Sequence, residues 1–266
     1  MIGDTVGKSV RLGRLFGTEG GRALIVAVDH GTGGVPAGLE DLGYVIQQIV
    51  AEKPDGVILT AAAFKRWHAL FASKTGPSAI IAMDALINGT LPGSANAEEH
   101  RLITTVEEAV CLGADAAKVL LVFGRRDARV HAHNIEMVAE LVDKCRHFGL
   151  PLMVEPALWG QLVPRDQQND SEMIRHICRI SVELGADIVK MPMPADADVL
   201  RQICDTSPVP ITILGGAPRP DIAEAASIAR SAIEHGAKGI VFGRNVWSNP
   251  DPKKAVRALK AALLTA

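Results

Sequence analysis

Eight short aliphatic runs punctuate this chain: 24–29 (LIVAVD), 56–60 (GVILT), 79–84 (AIIAMD), 116–122 (AAKVLLV), 151–155 (PLMVE), 187–191 (DIVKM), 209–214 (VPITIL) and 239–243 (GIVFG). Each is too short for a helix and rich in Val and Ile, so each reads as a strand. Strands covered on both faces read as near-continuous apolar runs, which points to a buried parallel sheet. Between them, segments 39–52, 105–112, 134–148, 170–184, 196–204 and 220–235 place apolar residues three and four apart, the spacing of a helix with one buried face. Four helical stretches end in glycine, at Gly113, Gly149, Gly185 and Gly236, where a left-handed helix stop is expected. Three of these stops run into the next strand almost alike, as LGADAAKV, LGADIVKM and HGAKGIVF, a weak repeat of one strand–helix unit.

Eight such units in 266 residues predict an α/β fold, a (β/α)8 TIM barrel, with residues 1–266 as one domain. An open doubly wound sheet is the alternative, and it usually carries fewer strands. A short N-terminal helix near 10–16 is expected before the first strand, and a last helix over 252–264. An apolar share of 48% supports a sizeable core, and a net charge of −2 gives no field to draw nucleic acid or an anionic membrane. No apolar run reaches the roughly 20 residues of a membrane span. Residues 1–13 lack the apolar region of a signal peptide. Cys111, Cys145, Cys178 and Cys204 are scattered and form no CxxC, so buried free thiols in a reducing cytoplasm are expected.

In a parallel barrel the chemistry sits where strands end. Asp29 and His30 follow the first strand, Thr60 the second, Asp84 the third and Glu155 the fifth. Lys190 lies in the sixth, Gly215 and Gly216 follow the seventh, and Gly243 and Arg244 the eighth. Of eleven lysines only Lys118 and Lys190 fall inside strands. A strand lysine is either inside the barrel or against the helices, and both positions are costly unless the amine is paired or functional. A desolvated amine beside another cation is a good nucleophile for a ketone carbonyl; a buried ion pair is the plainer reading. Asp29 and Glu155 are candidate general acids or bases, with Lys118 able to hold them ionised. Glycines after strands seven and eight, with Arg244, suit an anion such as phosphate. Ordinary turn chemistry would also use them. His131 and His133 fall in the connection after strand four and read as a solvated loop rather than a metal pair. No metal motif and no GxGxxG fingerprint is present, so no cofactor is expected.

The stretch RLGRLFGTEGGRALIVAVDHG resembles the opening of archaeal-type class I fructose-bisphosphate aldolases and their relatives, aminodideoxyheptulosonate synthase and autoinducer-2 phosphate thiolase. GIVFGRNVW is similar to that family's strand-eight phosphate motif. AAKVLLVF, GLPLMVEPALWG and ADIVKMPMP are similar to tagatose-bisphosphate and sulfofructose-phosphate aldolases. The resemblance implies that Lys190 forms the Schiff base, Asp29 is the strand-one acid, Lys118 the strand-four lysine and Glu155 the proton-transfer carboxylate. It places Gly215, Gly216, Gly243 and Arg244 on the phosphate. Two departures stand out. The archaeal-type strand-five tyrosine is absent: strand five ends MVEPALWG, and the sole tyrosine is Tyr44 in the helix after strand one. Strand seven reads ILGG where the family has SGG, so a hydroxyl is missing from the anion site.

The expectation is therefore a class I aldolase acting through a lysine Schiff base on a phosphorylated or sulfonated ketose, as a homo-oligomer by analogy. A thiolase- or transaldolase-like transferase, with His30 and Trp159 more prominent, is the first alternative. A non-catalytic phosphosugar-binding barrel is the second.

Overall fold

A computed structural model describes residues 3–17, 21–86 and 100–265, with the side chains of residues 3–5 left aside. Its eight barrel strands are β1 (Ala23–Ala27), β2 (Gly56–Thr60), β3 (Ser78–Ala82), β4 (Ala116–Val122), β5 (Leu152–Ala157), β6 (Ile188–Met191), β7 (Ile211–Leu214) and β8 (Gly239–Phe242). Every neighbouring pair is parallel, and β1 pairs with both β2 and β8, so the sheet closes on itself. The (β/α)8 expectation holds. The helices are α1 (Gly3–Phe16), α2 (Leu42–Ala51), α3 (Ala61–Trp67), α4 (Val106–Cys111), α5 (Ala128–His147), α6 (Ser171–Glu183), α7 (Ala197–Thr206), α8 (Ile222–Glu234), α9 (Arg244–Trp247) and α10 (Pro252–Leu264).

Local chemistry sets the helix ends. Asp41, Thr60, Thr105, Asp127, Asp170, Asp196, Asp221 and Asp251 each accept a backbone N–H from the first turn of the helix that follows. Each such cap is worth about 1 kcal/mol. The four glycine stops have φ of 82°, 61°, 100° and 96°, as their positions require.

Several boundaries depart from the sequence reading. The N-terminal helix starts at Gly3, not near residue 10. α5 starts at Ala128, six residues before the expected start, because Asp127 caps it and Asn134 holds it to the end of β4. His131 and His133 are therefore helical, not in a loop. α3 and a two-stranded antiparallel ribbon, Asp84–Leu86 with His100–Leu102, were not foreseen. Cys145 and Cys178 are buried free thiols as expected, but Cys111 is exposed at the end of α4.

Strand alternation divides the core in two. Leu24, Val26, Val57, Ile81, Val119, Val154 and Val189 face the helices. Ile25, Ile58, Ile80, Met153, Ile188 and Val241 fill the barrel interior together with Leu15 from α1. α1 lies across the end where the strands begin: Lys8 donates to Asp187 at 2.8 Å, Arg11 to the Gly149 carbonyl at 2.8 Å, and Arg14 pairs with Asp115 at 3.2 Å. A Cβ on Gly56 would come within 2.8 Å of Leu15, so the small residue admits the helix.

Candidate active site

The inward register that carries the apolar filling continues upward into charge. Two residues above Ala27 stands Asp29, above Ala82 Asp84, above Ala116 Lys118, above Met153 Glu155, and above Ile188 Lys190. A period of two aims all five at the mouth of the barrel. The apolar plug below them excludes water, so their charges interact in a poorly screened space.

Glu155 is the hub. Its Oε2 accepts from Lys118 Nζ at 2.8 Å and its Oε1 from Lys190 Nζ at 2.9 Å. Lys118 also stands 3.5 Å from Asp29 Oδ2. Lys190 and Glu155 are 4% and 5% exposed. Burial opposes ionisation of Glu155, but Lys118 and then Lys190 outweigh it and hold its pKa down at about 2. Burial opposes the charge on Lys118 too, and Glu155, Asp29 and Asp84 overcome it, holding the ammonium above its ordinary range. Asp29 is buried against its own charge, and Lys118 followed by Lys190 keeps it below the usual carboxylate range.

These residues line a cavity of about 180 Å³, together with His30, Thr32, Asp84 and Trp159. His30 Nδ1 is 3.6 Å from Asp29 Oδ1, and its ring meets Trp247 edge-on at 5.3 Å. Burial, partly offset by Asp29, lowers its pKa and favours the neutral ring.

Gly215, Gly216, Gly243 and Arg244 are brought together at the other side of the mouth, outside this cavity lining. Asn245 ties the two loops: its Nδ2 donates to the Gly215 carbonyl at 2.8 Å, and its Oδ1 accepts the Arg219 N–H at 2.8 Å. A Cβ on Gly243 would lie 2.6 Å from the Ala27 carbonyl oxygen and 3.0 Å from His30, so no other residue fits there. Burial lowers the pKa of Arg244, and Glu155 acts from a distance to raise it. His30 lies near both groups, since a Cβ on Gly243 would meet its ring at 3.0 Å and its Nδ1 is 3.6 Å from Asp29 Oδ1.

The sequence reading placed Asp84 at a strand end but gave it no role, and it did not weigh His100 or Arg125. The inward step from Ala82 was the available signal for Asp84; the other two lie in stretches without strand or helix periodicity. A larger groove of about 470 Å³ runs outside the barrel between α6 and α7, lined by Arg175, Cys178, Val182 and Ile203 among others. It gathers none of the strand-end charges. No helix is long and apolar enough to cross a membrane, and no group of three potential metal ligands occurs, both among the described residues.

The chain matches the DeoC/LacD family aldolase model over residues 23–249. It is 30% identical to an uncharacterized aldolase of Saccharolobus solfataricus over 97% of this chain and 94% of the other. It is also 30% identical to 2-amino-3,7-dideoxy-D-threo-hept-6-ulosonate synthase 1 of Archaeoglobus fulgidus, over 96% and 90%. An archaeal fructose-1,6-bisphosphate aldolase, solved with its catalytic lysine bound to the carbinolamine intermediate, superposes with a TM-score of 0.81 at 25% identity. That superposition covers 96% of this chain and 99% of the other.

Proposed function

The chain belongs to the DeoC/LacD family of aldolases, and we propose that Lys190 is its Schiff-base lysine, acting on a phosphorylated or sulfonated ketose. The observation that carries this is the contact between Lys190 Nζ and Glu155 Oε1, 2.9 Å apart, both side chains buried in the cavity at the barrel mouth. A deprotonated Lys190 attacks the ketone carbon, and the carbinolamine then loses water to give the iminium. Each step moves a proton at nitrogen or at the departing oxygen, and Glu155 is within reach of that nitrogen. Its basicity answers to the reaction. While Lys190 is an ammonium, two cations hold Glu155 ionised. Once that nitrogen is a neutral carbinolamine amine, one of the two is gone and the carboxylate takes protons more readily. Lys118 stays charged throughout and keeps Glu155 and Asp29 in place.

The substrate's anionic end is assigned to Gly215, Gly216, Gly243, Arg244 and His30. Backbone N–H groups and one guanidinium suit either phosphate or sulfonate. With Leu214 where the related enzymes have a serine, one hydroxyl donor fewer is offered, which favours an anion asking for fewer hydrogen bonds. Family resemblance supports a homo-oligomer, and four free cysteines suit a reducing cytoplasm.

Borohydride reduction in the presence of dihydroxyacetone phosphate, then of its sulfonate analogue, should add the mass of the ketone at Lys190. Lys190→Met should leave no adduct and lower turnover by several orders of magnitude. No adduct across such a panel, or full activity in that variant, overturns the assignment.

A further inference from the structure

Asp84 continues the inward register of β3 into the cavity that holds Lys190 and is 6% exposed. Its two oxygens have different surroundings. Oδ2 accepts the Leu120 backbone N–H at 3.0 Å and faces His100 Nε2 at 3.5 Å. Oδ1 is buried with no hydrogen-bond partner among the described residues. An orphaned buried carboxylate oxygen is costly unless something completes it, and a substrate hydroxyl would.

The flank of Asp84 is organised. His100 is 1% exposed, and Arg125 Nη2 lies 2.7 Å from its Nδ1. A guanidinium only donates, so Nδ1 is the bare nitrogen and the ring proton is on Nε2, 3.5 Å from Asp84 Oδ2 and without a hydrogen bond of its own among the described residues. Burial first, and Arg125 next, hold the His100 pKa down at about 3, so the ring stays neutral.

We propose that Asp84 is the acid–base group for the hydroxyl whose proton is lost when the carbon–carbon bond breaks, with the Leu120 N–H as the group that positions it and the neutral His100 ring as its neighbour. This rests on Lys190 carrying the substrate as an iminium. The carbon–carbon bond then breaks toward that iminium, its electron pair forms the enamine, and the hydroxyl proton passes to Asp84 Oδ1 as the aldehyde carbonyl forms. The aldehyde leaves and Asp84 returns the proton to water in the cavity. The enamine carbon takes a proton from water, and hydrolysis of the iminium frees the ketone and Lys190.

The other two carboxylates of the cavity are poorly suited to that exchange. Asp29 and Glu155 are both held ionised by lysines. Asp84 is the exception: burial raises its pKa to about 6, Lys118 and the Leu120 N–H pull against this, and Glu155 and Asp29 add to it. A proton acceptor works best when its affinity lies near the operating pH. The groups facing it are Lys118 on β4, Glu155 on β5, Asp29 after β1 and His100 on the ribbon, with Arg125 behind His100.

Asp84→Asn keeps shape and removes the exchange. With dihydroxyacetone phosphate, its borohydride adduct at Lys190 and its solvent deuterium uptake should stay within about 3-fold of wild type. Cleavage of a ketose phosphate turned over by wild type, beginning with fructose 1,6-bisphosphate, should fall by roughly 10²–10⁴-fold. Wild-type kcat/KM should decline on acidification through the Asp84 pKa near 6, and the variant should lack that limb. Cleavage within about 3-fold of wild type, or adduct and cleavage falling together, overturns the proposal. Failure of the wild type itself to trap would instead strike the Lys190 assignment, and this proposal with it. Should Asp84→Asn not fold, His100→Leu decides: loss of the facing N–H must move the acidic limb to higher pH, and an unmoved limb refutes the role.

Discussion

The mouth of the barrel has two unlike sides. From β3 to β6 it is built of side chains: Asp84, Lys118, Glu155 and Lys190 rise from adjacent strands, and Glu155 holds both ammoniums at under 3 Å. From β7 to β8 it is built of backbone: Gly215, Gly216 and Gly243 present the chain itself, with Arg244 as the lone charged side chain among the four. On the first side Lys118, Glu155 and Lys190 are paired with one another, while Asp84 Oδ1 is left without a hydrogen bond among the described residues. On the second, the Gly215 N–H is already given to the Val241 carbonyl at 3.3 Å, and the Gly216 and Gly243 N–H groups and the Arg244 guanidinium are the donors assigned to the anion. A reacting carbon needs proton affinities that respond to one another, whereas an anchored anion needs fixed donors that do not change during turnover. The two sides divide those demands.

Each side can be broken separately. Glu155→Gln removes the carboxylate that bridges Lys118 and Lys190 and leaves the two buried amines without it. Turnover should drop by roughly 10²–10⁴-fold, and the unfolding midpoint should fall with it, because breaking a buried pair costs about 3–5 kcal/mol. Steady-state kinetics with calorimetry reads both; a variant with near-normal turnover would mean the charged side is structural. Arg244→Ala attacks the other side. A charge-assisted hydrogen bond is worth about 1.5–3 kcal/mol, so KM for the anionic substrate should rise roughly 10- to 100-fold while adduct formation at saturation is preserved. If kcat collapses and KM holds, the division drawn here is wrong.

A smaller effect sharpens the contrast further. Glu155, depressed to about 2, gives stability that is present above its ordinary value of 4.5 and is lost as pH falls toward 2. Asp84, raised to about 6, works the other way: its contribution is present below 3.8 and is lost as pH rises through 6. Wild type should therefore gain slightly from pH 7 to 4 and lose stability below that. Denaturant titrations of Glu155→Gln should show a smaller gain, because Glu155 helps to raise Asp84, and lose most of the acid loss, whereas Arg244→Ala should follow wild type at every pH.

The strand runs and glycine stops made the barrel readable because burial on both faces and helix termination leave marks within a few residues. Lys118 and Lys190 stood out for the same reason: a cation in an aliphatic strand breaks its pattern. What the sequence left open was direction, since a strand lysine faces either way until the register is fixed by Ile188 and Ala116 inside the barrel. α3 was missed because AAAFKRW is too short to show a helical period. The start of α5 was missed because Asp127 holds its first turn and Asn134, one turn on, ties it to β4, contacts that amphipathic spacing does not report. His100 was invisible because its partners, Asp84 and Arg125, are 16 and 25 residues away and reach it only in three dimensions.

α1 deserves a last consequence. With Leu15 wedged among Ile25, Ile58 and Ile80, and Lys8, Arg11 and Arg14 clamped to the surrounding loops, the strand-starting end of the barrel is stoppered. The strand-starting end being filled, the cavity that holds Lys190 lies at the opposite, strand-ending side, and the stopper serves as the fixed base on which the inward charged layer rests.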